Sequence, residues 1–110
     1  MMYYEFTVGD QTYKLRLNTR NVVTLEKALG CNPLAIFGKG ETLPTVSAMV
    51  NILHSSLQQY HHGITITDTY DLFDKYLAEG NTSTDFIPVI VEIYKVSGII
   101  KEEGNNNEKN

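Results

Sequence analysis

Three histidines are the first residues in this sequence whose type could do chemistry. His54 and His61 stand seven positions apart. On a helix they would share nearly one side but lie about two turns from each other, too far to hold one ion. His61 and His62 are adjacent and would point in different directions. Helical zinc sites place ligands at i and i+4, or use Cys-x-x-Cys pairs, and neither pattern is present. The three read as polar residues, with His61 and His62 at a helix end where positive charge suits the dipole. Asp68, Asp71 and Asp74 recur every three residues but lack the glycine and closing glutamate of a calcium loop. They read as the solvated face of an amphipathic helix. Cys31 follows Gly30 and has no evident base to activate it, so it reads as a small buried or half-buried filler. Gly38-Lys39-Gly40 lacks the spacing and the following Ser or Thr of a phosphate loop. No catalytic, cofactor-binding or metal-binding residue is assigned, no cofactor is expected, and the chain is not expected to be an enzyme.

Charge and composition narrow the partners. The 110 residues carry 9 basic and 13 acidic side chains, a formal net charge of −4. Lys14, Arg16 and Arg20 form the one modest basic cluster, so nucleic acid is not an expected partner. With 42% apolar and 20% charged residues, the composition is that of one ordinary globular domain. A single cysteine permits no internal disulfide and fits a reducing compartment. No secretory signal is expected, because Met1-Met2-Tyr3-Tyr4-Glu5 lacks a basic run before an apolar stretch. The richest apolar stretch, 86–100, is broken by Glu92, Lys95 and Ser97, so no membrane span is expected.

The elements follow from the periodicity. Tyr4, Phe6 and Val8 alternate with polar residues, as do Tyr13, Leu15 and Leu17, and Gly9-Asp10-Gln11 lies between. That is a β-hairpin with one apolar face. Residues 19–29 follow as a helix, capped by Asn18 or Thr19 and stopped by Gly30. Asn32 and Pro33 open a short helical turn that delivers Leu34, Ile36 and Phe37 to the core, and a loop covers 38–41. A stronger helix begins at Pro44 and Thr45. Its stripe is Val46, Met49, Val50, Leu53, Leu57 and Tyr60, and it ends at His61-His62-Gly63. Ile64-Thr65-Ile66 is a connector or a small extended piece. Thr67 caps the next helix, whose face is Tyr70, Phe73, Tyr76 and Leu77 and whose stop is Gly80. After a turn at 81–84 the last helix runs from Asp85 to about Ser97 or Gly98, with Pro88 in its first turn. The expected fold class is α+β: an N-terminal β-hairpin followed by about four main α-helices, mostly helical, in one compact domain over 1–100. A disordered polar tail is expected over 101–110.

The last helix carries more apolar residues than one face needs. Phe86, Ile90 and Ile93 form one stripe with Ser97, while Ile87, Val91 and Tyr94 form a second. Such a helix is either central and surrounded, or leaves one side open as an interface. Seven tyrosines add half-polar contact surface. The expected partner-binding residues are Ile87, Val91 and Tyr94 on this helix, with Tyr4 and Phe6 on the hairpin.

The strings themselves resemble a known family. The run Tyr13-Lys14-Leu15-Arg16-Leu17-Asn18-Thr19-Arg20-Asn21-Val22-Val23-Thr24-Leu25-Glu26-Lys27-Ala28-Leu29-Gly30-Cys31-Asn32-Pro33-Leu34 is similar to the opening of small tail assembly chaperones of siphophages and prophages of Gram-positive bacteria. Leu43-Pro44-Thr45, Ile52-Leu53-His54-Ser55-Ser56-Leu57, Tyr70-Asp71-Leu72-Phe73-Asp74-Lys75-Tyr76-Leu77 and Ile93-Tyr94-Lys95-Val96-Ser97-Gly98 also look similar. The resemblance spans about residues 3–100 and rests on caps and stripes, with no catalytic motif. It implies a chaperone that binds the tape measure protein through apolar surface and keeps it soluble until the tail tube polymerises. The implied setting is the host bacterial cytoplasm, with the tail tube protein and a second copy of the chain as further partners. The alternative is a minor structural protein of the phage, a tail completion or connector piece retained in the virion.

Overall fold

A computed structural model describes residues 2–38 and 43–102. The loop expected over 38–41 falls outside these from 39 onward, as does the polar tail from 103 onward. Strands β1 (Tyr4–Val8) and β2 (Gln11–Leu15) pair antiparallel, with Phe6 opposite Tyr13 and Val8 opposite Gln11. Gly9 takes φ 66° at the first central position of the two-residue loop, and Asp10 keeps a negative φ. That is the type II′ geometry, whose twist matches the strands. Phe6, Val8 and Leu15 are buried on one face, while Glu5, Thr7, Thr12 and Lys14 are exposed on the other.

Four helices follow: α1 (Thr19–Leu29), α2 (Val46–Leu57), α3 (Ile66–Ala78) and α4 (Phe86–Val96), with a 3-10 helix at Pro33–Phe37. The hairpin and four helices make the fold α+β, as the periodicity implies. The Oδ1 of Asn18 caps α1 by accepting the N–H of Asn21 at 2.8 Å, and Gly30 ends it at φ 74°. Helix α2 packs against α1, α3, α4 and β2, and eight of its residues from Ala48 to Leu57 are buried. Val46 is 51% exposed, and the helix stops at Leu57, so Tyr60 lies beyond the stripe expected to include both.

The cap of α3 is Thr65 and not Thr67. Thr65 Oγ1 accepts the N–H of Asp68 and Asp68 Oδ2 accepts the N–H of Thr65, both at 3.0 Å. These bonds hold the Asp68 carboxyl below the usual carboxylate range. A cap at Thr67 would put Tyr70 at the reciprocal position, where no acceptor could return the bond.

Helix α4 ends the assembly. Phe86, Val89, Ile90, Ile93 and Tyr94 are buried, and Pro88 is its one exposed residue. Its C-terminal carbonyls are all used. Gly98, at φ 78°, donates to Lys95 O at 3.2 Å, and Ile99 donates to Tyr94 O at 2.9 Å, a Schellman end. Arg16 Nη1 donates to Val96 O at 2.6 Å and to Met2 O at 3.1 Å. The N–H of Leu17 donates to Ser97 Oγ at 2.8 Å, and that of Arg16 to Ser56 O at 2.9 Å. One dipeptide thus ties the hairpin to both α2 and α4. Replacing Arg16 by Met, which keeps the stem, removes two charge-assisted bonds and the cation at the helix end. Urea denaturation of R16M should show a loss of about 2 kcal/mol.

Candidate functional site

A concavity lies where α1 ends and α2 begins. Gly30 turns the chain out of α1, and Asn32 Oδ1 accepts the N–H of Leu34 at 2.8 Å. Pro33 needs no partner for a missing N–H, so the 3-10 helix starts there. It is held from beneath by α4. The buried Tyr94 hydroxyl donates to Pro33 O at 3.0 Å, and the Phe37 ring meets Tyr94 edge-on at 6.3 Å. Burial, and then the neighbouring Cys31, push the Tyr94 hydroxyl well above its ordinary pKa, so it donates across the whole accessible pH range.

The opposite wall is the first turn and a half of α2. Between them is a cleft of about 250 Å³ lined by Leu29, Cys31, Ile36, Leu43, Ala48 and Asn51 among others. Two polar groups on the α2 wall are already engaged: Thr45 Oγ1 accepts the N–H of Ala48 at 3.0 Å, and Asn51 Nδ2 donates to Ser47 O at 2.9 Å. What faces outward is therefore largely apolar. Leu43, on the lining, is 61% exposed. Val46 in the adjoining turn of α2 is 51% exposed, and Leu34 on the 3-10 helix is 42% exposed.

The residues expected to bind a partner do not come together. Phe6 is 4% exposed, locked in a ring cluster with Tyr76 at 5.3 Å and Phe86 at 5.7 Å between centroids. Tyr94 is 0% exposed. Both are core residues, which corrects their assignment to an open surface. Phe6 is buried because α3 and α4 both pack against β1, and Tyr94 because it lies beneath the 3-10 helix. Tyr4 and Ile87 are half-buried against the core, and Val91 is half-buried on α4. Burial, and then Glu92, raise the Tyr4 hydroxyl pKa.

Other expectations shift as well. Cys31 is an exposed thiol on the cleft, not a buried filler. Leu34 is on the surface, because a 3-10 helix stacks positions three apart and its inward row here is Pro33 and Ile36. The basic cluster is divided. Lys14 Nζ sits over the Tyr3 ring at 5.0 Å and the Tyr60 ring at 5.7 Å, while Arg16 serves the end of α4. Among the described residues no three His, Cys, Asp or Glu side chains are placed to hold a metal ion. No helix among them is long and apolar enough to cross a membrane.

The molecule is thus a small α+β domain whose described surface offers a largely apolar cleft. The chain belongs to a family of unknown function, DUF6096, whose profile matches residues 4–110. No curated protein and no solved structure matches it.

The sequence carried one usable sign of the cleft. Leu43 precedes a proline and a helix cap, outside any stripe, so no core position claims it. The cleft also depends on one buried hydroxyl. Tyr94→Phe removes the side-chain hydrogen bond to the Pro33 carbonyl and should cost about 1 kcal/mol in urea denaturation, against little change for Tyr70→Phe on the exposed face of α3.

Proposed function

We propose that this protein acts by binding and not by turnover, as a phage tail assembly chaperone that holds the apolar helical tape measure protein until the tail tube forms. The observation that carries the reading is the cleft. Its lining is largely apolar, Leu43 on that lining stands exposed, and Val46 in the adjoining turn of α2 and Leu34 on the 3-10 helix are exposed as well. A client helix offering apolar side chains at three- and four-residue steps could seat one in the cleft and rest its neighbours on that rim. The resemblance of residues 3–100 to tail assembly chaperones supplies the identity of the client. The host bacterial cytoplasm is the setting this implies, with the tail tube protein and a second copy of the chain as further partners.

A modest cleft suits the task. The chaperone must yield its client to polymerising tube subunits, so contacts that shield without sealing are an advantage. Half-buried Val91 and Ile87 on α4 are a secondary contact surface in this reading.

Co-expression with the tape measure protein of the same phage tests the proposal. Soluble client should rise in the presence of the wild-type chain. Leu43→Asp combined with Val46→Asp should weaken client binding about tenfold or more. Both side chains are exposed, so thermal stability should hold. A bulky maleimide on Cys31 should block binding in the same way. Client solubility that is unchanged with and without the chain would overturn the reading.

A further inference from the structure

Two N–H groups on the outer side of β2 and the residue that follows it, those of Lys14 and Arg16, are covered in chemically different ways. Strand pairing turns alternate N–H groups toward β1 and leaves those of Lys14 and Arg16 pointing away from it. The N–H of Arg16 donates to a peptide carbonyl, Ser56 O, at 2.9 Å. The N–H of Lys14 donates to the Nε2 of His61 at 3.0 Å. A carbonyl accepts at every pH, whereas an imidazole nitrogen accepts only while it is unprotonated.

His61 is firmly placed for this role. Its own N–H donates to Leu57 O at 2.7 Å, and its carbonyl accepts the N–H of Ile64 at 3.1 Å. Its ring stands edge-on to Tyr13 at 5.4 Å and 71°. The charged group that β2 turns toward it is the Lys14 ammonium, held nearby over Tyr3 and Tyr60. Tyr13 on β2, and Tyr60 and exposed His62 beside it on its own segment, complete its titratable surroundings. Among the described residues no carboxylate pairs with His61, since the one ion pair there joins Lys95 to Glu92. Among the described residues an imidazolium would therefore face an N–H donor and a second cation, with no counter-ion.

We infer that His61 is a pH-operated latch on the outer edge of β2: closed as the neutral imidazole, and released on protonation, when donor meets donor and the turn after α2 lifts from the strand. Burial first, and then the charge of Lys14, hold the imidazole pKa below its usual value, consistent with a closed neutral state. The native fold therefore favours the unprotonated ring. Its stabilising contribution is whole above the ordinary histidine pKa, and is lost as pH falls through that value toward the lowered native one. Half-buried His54, also lowered by burial, adds to stability in the same sense, but without a strand bond to release.

The two edge amides provide an internal control. Amide hydrogen exchange of the full chain, followed by NMR from pH 7.5 to 5.0 and corrected for intrinsic rates, separates local release from general softening. Protection of the Lys14 amide should fall about tenfold per pH unit once His61 begins to protonate. Protection of the Arg16 amide should stay within about twofold, since its acceptor does not titrate. In His61→Gln, whose amide oxygen can accept at any pH, the Lys14 profile should be flat. Should that variant fold poorly, the ring nitrogen shifts of the wild type decide: the neutral form must carry its proton on Nδ1. A parallel fall at both amides, a Lys14 amide indifferent to His61 titration, or a proton on Nε2 would each overturn the latch.

Discussion

The hydrogen bonds from Arg16 and Leu17 to the end of α4 are the tie on which the rest of the molecule depends. A two-stranded hairpin is marginal alone, and an α-helix leaves its last carbonyls unpaired. Here each resolves the other's deficit. Arg16 reaches Val96 O at the negative end of the helix dipole, and the Leu17 N–H takes the Ser97 hydroxyl. The Arg16 backbone N–H holds the Ser56 carbonyl at the end of α2. One extended dipeptide so sets the distance between the hairpin and the two central helices.

With that distance set, the core assembles around α2 and α4. Phe6, Phe73, Tyr76 and Phe86 meet mostly edge-to-face, with centroids 5.3 to 5.8 Å apart, in the arrangement that aromatic quadrupoles favour. Helix α1 contributes one buried residue, Leu25, so it lies on the periphery. A peripheral helix followed by a short 3-10 segment cannot close fully over the start of α2. The cleft results from that incomplete cover.

Local chemistry was legible in the sequence, and tertiary choice was not. Asn18, Asn32-Pro33 and Thr45 were readable as helix starts, because a cap is a contact between neighbours in the chain. Gly9, Gly30 and Gly98 marked ends that demand a positive φ. The choice of Thr65 over Thr67 is harder to read, since either threonine could cap and only the return bond from Asp68 separates them. Phe6 and Tyr94 were placed outside for a deeper reason. A helix apolar on nearly every side carries no sign of which side its neighbours will take. The sequence does not assemble the cleft, because its members are scattered over α1, the 3-10 helix and α2. It exists only when Tyr94, from the far end of the chain, fixes the 3-10 helix in place.

That hydroxyl gives the cleft a mechanical address. Tyr94 supports the 3-10 wall through its side chain, and two residues later Val96 carries the Arg16 bond to the hairpin. Both attachments leave from the final turn of α4. A guest that shifted the 3-10 wall would load the same turn that anchors the strands, and tension on the strands would return along the same route. Such linkage is reciprocal by thermodynamic necessity. The concavity and the hairpin share one anchoring turn.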